Sequence, residues 1–368
     1  EKPVDLGPDE ASAFAFDLEV PPAIIEGYHT LWARFDGPSN LAVARPMYLP
    51  VFGSVEAWVD GRGVTKEGSP YALRAVVSNL TQQGIEAEVK LDLPMGLTSA
   101  SPTRRLALEP GGLTEASFSL VAGQPGEFSL LVWVAAPGVE RHISHLLRVV
   151  RRHRLFVLYS GFLGCPIASD ESLEVVNMPA NYAVRKPHVM EQLLPNVDVV
   201  LTSDQHDAVF TAEQIESLVS YVAGGGKLLL FCYWSSAWGR GFYDTYGNVA
   251  GTELAEILPL VMKRGIGQGK SVQLEGAGRS LFRDIEWDTC PPYDFNLAEA
   301  HPEAEVWAQS DDGYPLIASW TYGRGRVTAI AIDCFGYGSY GSFVCWPGVR
   351  AMIRQAVLDL GRSGGRIT

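Results

Sequence analysis

The sequence predicts a multidomain chain that is all-β over its first 150 residues and α/β after them. Three observations carry this. Short alternating strands with turn residues about every 8–12 positions fill residues 55–150, the spacing of a β-sandwich. At Arg154 the pattern changes to continuous apolar runs, which suit parallel strands buried on both faces. Those runs then alternate with helical stretches, the pattern of a sheet covered on both sides by helices.

Taken in order, Ala13–Val20 alternates ahead of Pro21-Pro22, Tyr28–Phe35 is a strand closed by Asp36-Gly37-Pro38, and Leu41–Leu49 is a third. This 1–50 segment is too small for a whole sandwich and is read as the tail of an upstream β module or as padding on the next domain. The 51–150 sandwich follows. Tyr71–Asn79 alternates and ends in a turn signal, and Ala87–Leu93 is expected to pair with it. Leu106–Pro110, Thr114–Val121 and Gly126–Val134 complete the ladder. Asn79-Leu80-Thr81 matches a glycosylation sequon. Arg148, Arg151, Arg152, His153 and Arg154 form a basic cluster, read as a solvated linker between the two parts.

The α/β part spans 151–362, with 363–368 a polar tail. Leu155–Tyr159 and Val197–Thr202 are apolar strands. Thr211 is the expected N-cap of a helix, and Gln214 three residues on completes a capping box. Ile215, Leu218, Val219 and Val222 form its apolar stripe, and Gly224 ends it. Lys227–Cys232 is the next strand and Thr252–Leu258 a short helix. Glu305–Ala308 is a strand. Leu316–Trp320 and Arg326–Ile332 flank Tyr322-Gly323-Arg324-Gly325, a hairpin turn. Val349–Leu360 closes the chain as a helix.

Composition narrows the function. A net charge of -13 argues against sequence-independent nucleic-acid binding, which needs a basic surface. No run approaches the ~18 apolar residues of a membrane helix, and no leader pattern follows Glu1. The five cysteines all lie in the second half, in neither a disulfide framework nor a zinc spacing. No GxxxxGK[ST] or GxGxxG marks a phosphate loop. Neither a cofactor nor a metal is expected. The sandwich and the non-methionine start point to an extracytoplasmic or envelope setting, whereas unbridged cysteines point to a reducing one, so the compartment stays open.

The second half carries an ordered set of pieces: Asp198-Val199-Val200-Leu201-Thr202-Ser203-Asp204, Leu218–Leu230 (LVSYVAGGGKLLL), Leu254–Met262 (LAEILPLVM), Tyr322-Gly323-Arg324-Gly325-Arg326-Val327, Asp333 and Trp346-Pro347-Gly348. Over residues 154–360 these resemble the class I glutamine amidotransferase-like superfamily, most of all its branch of glutamine amidotransferase-like proteins without assigned activity, with the β-galactosidase trimerisation domain and ThuA-like proteins as relatives. The resemblance implies a flavodoxin-like, three-layer α/β/α fold. The 51–150 region resembles the immunoglobulin-like modules of bacterial surface and carbohydrate-active proteins, which act as spacers or docking surfaces.

The resemblance also frames the chemistry. Working amidotransferases hold their nucleophile in a Gly-x-Cys-x-Gly elbow, whose glycines permit the strained turn. Here Cys232 stands between Leu230-Phe231 and Tyr233-Trp234, with no glycine, and a one-residue shift puts Tyr233 in its place. His301-Pro302-Glu303 matches the family's His-Pro-Glu. It follows Asn296–Ala300, which lacks a strand pattern, and precedes the strand at Glu305, so it is expected at the opposite edge of the sheet. The expected function is a catalytically degenerate amidotransferase-like protein acting as a binding or assembly module, part of a larger envelope protein or complex. One alternative is an enzyme, either a thiol-dependent amidase or amidotransferase using Cys232 or a hydrolase using Asp204 and His206. Another is a glycan-binding module.

Asp204 and His206 follow a buried strand, where they suit acid–base work, ligand binding or simple loop capping. Two aromatic loops leave predicted strand ends. One carries Tyr233, Trp234, Trp238 and Tyr243; the other carries Asp333, Tyr337, Tyr340 and Trp346. Aromatic faces with polar rims suit a protein interface, sugar stacking or packing on one another. The expected partner is a protein or a second copy of the chain, with a glycan as the alternative.

Overall fold

The computed structural model describes residues 27–36, 42–51, 53–59, 63–161, 165–179, 193–203, 211–232, 252–336 and 341–362. The chain is predominantly β, with several sheets. β1 (Gly27–Asp36) and β2 (Ala42–Val51) form an antiparallel pair, matching the two strands read there. Ala13–Val20 lies outside the described residues.

Nine strands follow: β3 (Val55–Val59), β4 (Gly63–Lys66), β5 (Pro70–Asn79), β6 (Ile85–Asp92), β7 (Leu97–Ser99), β8 (Thr103–Leu108), β9 (Leu113–Ala122), β10 (Gly126–Ala136) and β11 (Val139–Val150). They make a β-sandwich of two sheets, ordered β4-β11-β10-β6-β8 and β3-β5-β9-β7. Period-2 alternation puts Ala116, Phe118, Leu120 and Ala122 of β9 inward, where they meet Leu73, Val89, Val132 and Leu147 in one core. Burying each larger side chain contributes roughly 1.5–3 kcal/mol.

Two expectations need correction here. β5 does not pair with β6. It pairs with β3 and β9, whereas β6 pairs with β8 and β10, so residues 80–84 cross between sheets. The sequon asparagine locks this crossing. Asn79 is buried, its Nδ2 donates to the carbonyls of Gln83 (2.8 Å), Leu108 (3.2 Å) and Glu109 (3.0 Å), and its Oδ1 accepts from Thr81 N (2.9 Å) and Oγ1 (2.8 Å). The nitrogen a glycan would occupy is already committed.

The basic cluster is the second correction, in part: Arg151, Arg152 and His153 are exposed in the turn at 151–154, as read, but the two flanking arginines are ion-paired. Arg148 lies within β11, and both Arg148 and Arg154 (2.9 Å) pair with Glu174. Further contacts tie the sandwich to the second half. Lys66 pairs with Asp198, Asn196 Nδ2 donates to the Pro70 carbonyl (3.2 Å), and Val64 and Val150 enter the second half's core.

The second half contains β12 (Leu155–Gly161), β13 (Leu173–Pro179), β14 (Val199–Ser203), β15 (Lys227–Phe231), β16 (Leu260–Gly269), β17 (Val272–Leu274), β18 (Tyr293–Ala300), β19 (Glu305–Ser310), β20 (Pro315–Tyr322) and β21 (Gly325–Ile330). One eight-stranded sheet runs β13-β12-β14-β15-β21-β20-β19-β17. Its first five strands are parallel, and in chain order they stand second, first, third, fourth, fifth. The helices are α1 (Ala212–Ala223), α2 (Glu253–Glu256), α3 (Gly278–Leu281), α4 (Gly341–Cys345) and α5 (Pro347–Arg362). Leu218 and Val222 of α1 cover Phe156, Leu158, Leu228 and Leu230. Met352, Ile353 and Ala356 of α5 cover Val157, Tyr159, Leu229 and Phe231. Alternate residues of β12 and β15 thus face opposite helices, which is why both strands are apolar throughout.

The capping box of α1 forms as read. Gln214 N donates to Thr211 Oγ1 (3.3 Å) and Thr211 N to Gln214 Oε1 (2.9 Å). Gly224 caps the helix in a right-handed conformation, and the positive φ (+114°) falls on Gly225. Tyr322 pairs with Gly325 across the expected hairpin turn. Gly325 is fixed by close approach: a Cβ there would lie 2.1 Å from the Val222 carbonyl oxygen.

Tyr293–Ala300 overturns the reading that no strand precedes His301. It is β18, paired antiparallel with β16, and it then runs beside the end of β21, where Asn296 N donates to Ala331 O (2.9 Å).

Candidate functional site

Ligands in open parallel sheets gather at the carboxyl ends of strands, above all where strand order reverses. Here that reversal lies between β12 and β14. The described polar side chains at this edge are buried: Ser160, Thr202, Asp294, Asn296 and Asp333. Thr202 Oγ1 donates to the Ser160 carbonyl (2.7 Å), joining β14 to β12.

Cys232 follows β15 and is fully buried. Its N–H donates to Ile330 O (2.7 Å), continuing the β15–β21 ladder, and its Sγ donates to Leu230 O at 3.7 Å. Its carbonyl accepts from Asn296 Nδ2. The residue therefore sits at the end of a regular ladder, packed among Leu230, Ala329 and Ala331.

His301 is held elsewhere. Its ring lies 4.2 Å from that of Trp320, its N–H donates to Pro259 O (2.9 Å), and its Nδ1 accepts from Glu303 N (3.4 Å). Trp320 pairs with Val327, near the amino end of β21, whereas Cys232 bonds Ile330 at the other end. β18 links the two places. It touches Cys232 at Asn296 and reaches His301 five residues on, about 16 Å away at ~3.3 Å per residue. A base must come within hydrogen-bond reach of its nucleophile, and this strand holds the two apart.

Asp333 turns the loop that follows β21. Its Oδ1 accepts from Phe335 N (3.0 Å) and Gly336 N (2.9 Å), and its own N–H donates to Asp294 O (2.9 Å). Trp346 packs inward. Its Nε1 donates to Thr289 Oγ1 (2.9 Å), with the Trp287 ring at 5.4 Å and the Phe343 ring at 5.8 Å. Asp204, His206, Tyr233, Trp234, Trp238, Tyr243, Tyr337 and Tyr340 lie outside the described residues.

No disulfide joins the cysteines. Burial pushes the Cys165 thiol up to about 11, against an opposing hydrogen bond from the Ile167 backbone, and pushes Cys290 up to about 12. Burial, then the Asp333 charge, raise Cys334 well above the ordinary thiol range. These three thiols stay protonated at neutral pH, unlike an activated nucleophile. Among the described residues no group of three or more His, Cys, Asp or Glu side chains is placed to hold a metal, and no helix is long and apolar enough to cross a membrane.

Sequence reasoning missed Ser160, Asp294 and Asn296. The signal was polar residues interrupting apolar strands, as in Tyr293-Asp294-Phe295-Asn296-Leu297. Asn296 Oδ1 and Ser160 Oγ are buried without a hydrogen-bond partner among the described residues.

No family model matches the chain, and no curated protein does. A cytoplasmic protein of Salmonella typhimurium, STM3548, is similar over 55% of this chain and 98% of its own, at 19% identity and a TM-score of 0.45. E. coli alpha-2-macroglobulin in its native conformation is similar over 36% of this chain and 8% of its own, at 18% identity and a TM-score of 0.27. Salmonella alpha-2-macroglobulin reacted with methylamine is similar over 30% of this chain and 8% of its own, at 20% identity and a TM-score of 0.26. With every score below 0.5, these likenesses assign neither a fold nor an activity.

Proposed function

We propose that residues 151–362 are a flavodoxin-like domain of the class I glutamine amidotransferase-like superfamily that has lost thiol catalysis and serves binding or assembly, with an immunoglobulin-like sandwich at 51–150 as its mount. The parallel strand order second-first-third-fourth-fifth, shared with flavodoxin-like sheets, supports the fold. The loss of catalysis rests on one observation. Cys232 is sealed in the ladder end while the His301 ring packs tilted against Trp320 at the far end of β18. The binding edge is the carboxyl end of the sheet, where the aromatic loops leave and where Ser160 and Asn296 keep buried polar atoms without a partner among the described residues. The favoured partner is a protein or a second copy of the chain, with a glycan as the alternative.

The test is peptide-resolved alkylation of the native chain from pH 5 to 9. The exposed Cys345 labels first, and Cys232 and Cys334 label only on unfolding. Fast labelling of Cys232 near pH 6 in the folded chain would restore the amidase reading. Trp238→Ala then probes the edge: unchanged self-association and unchanged glycan retention would remove that loop from the proposal.

A further inference from the structure

The opposite end of the sheet holds a cleft of about 1490 Å³. Its walls are the amino ends of β12, β14, β15 and β21, the glycine turn Gly224-Gly225-Gly226, the β20–β21 turn and the sandwich residues Lys66 and Ser69. The two turns are stitched together by Arg324 N to Ala223 O (3.0 Å) and Arg326 N to Gly226 O (3.2 Å). Gly224 and Gly225 are exposed at this wall, whereas Gly226 is covered by the Tyr221 ring, which a Cβ there would meet at 2.4 Å.

Charge sets this cleft apart. Lys66, Arg152, Arg154, Lys227, Arg324 and Arg326 line it, and Asp198 is the one lining carboxylate among the described residues. Three of these cations are neutralised: Lys66 by Asp198, Arg154 by Glu174 and Arg326 by Asp359 at 3.0 Å. Arg152, Lys227 and Arg324 have no carboxylate partner among the described residues. Lys227 is half-buried, and among the described residues its ammonium donates to the Gly361 carbonyl alone, at 3.3 Å. Burial holds its pKa below the usual lysine range; Asp198 pulls it back up and Lys66 pushes it further down. In a chain of net charge -13, three uncompensated cations around one cleft run against the composition. A half-buried cation is stabilised by a bound anion, and guanidinium forks match oxyanions in geometry.

We propose that this cleft binds a small molecule carrying two or more oxyanion groups, phosphates or carboxylates, held between Arg152, Lys227 and Arg324. The volume exceeds the roughly 300–1,000 Å³ of most small-ligand pockets, which fits an extended ligand. The site lies away from the carboxyl-end edge, so its fate is separate from that of the degenerate-amidotransferase reading.

The experiment is calorimetric titration of the full chain with inorganic tripolyphosphate and, separately, citrate, each against sodium chloride of matched ionic strength. Saturable binding is expected, weakened about tenfold or more by Arg324→Ala and by Arg152→Ala, each of which removes a charge-assisted hydrogen bond to the ligand. Arg283→Ala, on the exposed Arg283–Asp284 pair, leaves binding unchanged. Tripolyphosphate binding alone identifies a phosphate ligand, citrate alone a carboxylate, and both together the shared charge. Absence of saturable heat for both probes, or wild-type affinity in the Arg152→Ala/Arg324→Ala double variant, overturns the proposal. Both arginines are exposed, so neither variant threatens the fold.

Discussion

Asn296 donates its side-chain amide to the backbone carbonyl of Cys232, so β18 is keyed to the residue that ends β15. The pair is buried. Without the amide, that carbonyl has lost a donor in a dry environment. Asn296→Ala should lower stability by about 1–3 kcal/mol, read as a shifted urea midpoint. Cys232→Ala keeps the carbonyl and should cost less than Asn296→Ala.

His145 sets an acid limb on stability. It is buried beside Tyr71, whose hydroxyl lies 3.3 Å from Nε2, and burial lowers its pKa from 6.5 to about 4. The unfolded chain therefore takes up the proton first. The contribution is full above about pH 6.5 and is lost as pH falls toward 4, to a maximum of about 3 kcal/mol. His145→Gln should flatten this limb in denaturant midpoints measured between pH 7 and 4. An unaltered limb would exclude His145 as its source.

Glu174 ties the second half to the sandwich through Arg148 and is braced by Arg154, which stands just ahead of β12. Its side chain is 11% exposed, whereas that of Arg148 is 42% exposed, so the energy lies below that of a fully buried pair. A double-mutant cycle with Glu174→Ala and Arg154→Ala should give a coupling of about 1–2 kcal/mol. Glu174→Ala should also speed proteolytic cutting within residues 151–154. A coupling of zero would mean the pair is ornamental.

Two glycines should behave differently. Gly325→Ala drives a methyl against the carbonyls of Val222 (2.1 Å) and Gly226 (2.3 Å) and should cost more than about 3 kcal/mol. Gly68 has φ +77° with open space around it, so Gly68→Ala meets only backbone strain of roughly 1–2 kcal/mol. Equal melting-temperature losses would contradict this ranking.

What the sequence disclosed follows from which forces act locally. Leu155–Tyr159 was legible because a strand buried on both faces must be apolar throughout. The Thr211–Gln214 box was legible because capping is satisfied within one turn. β11 was hidden, since Arg141 and His145 stand at inward positions while Leu146 stands at an outward one. β18 was hidden because Asp294 and Asn296 are buried for contacts distant in sequence. The β5–β6 connection read as a hairpin because a short turn within one sheet and a short crossing between two have the same composition. Only the carbonyls that Asn79 reaches, some 30 residues away, tell them apart.

The joint between the halves has a mechanical consequence. β11 ends at Val150 and β12 begins at Leu155, both side chains are buried, and four residues span the gap. Five Cα steps reach about 18 Å at most, and a turn closed by Arg154 N on Arg151 O (3.1 Å) takes up part of that, so the tether has little slack. Tension applied to the sandwich passes straight into β12, which lies between β13 and β14, and loads its hydrogen bonds in shear, the stiff direction of a sheet. Under load the two halves would act as a single strut, with the Glu174 clasp and the Lys66–Asp198 pair resisting rotation about it.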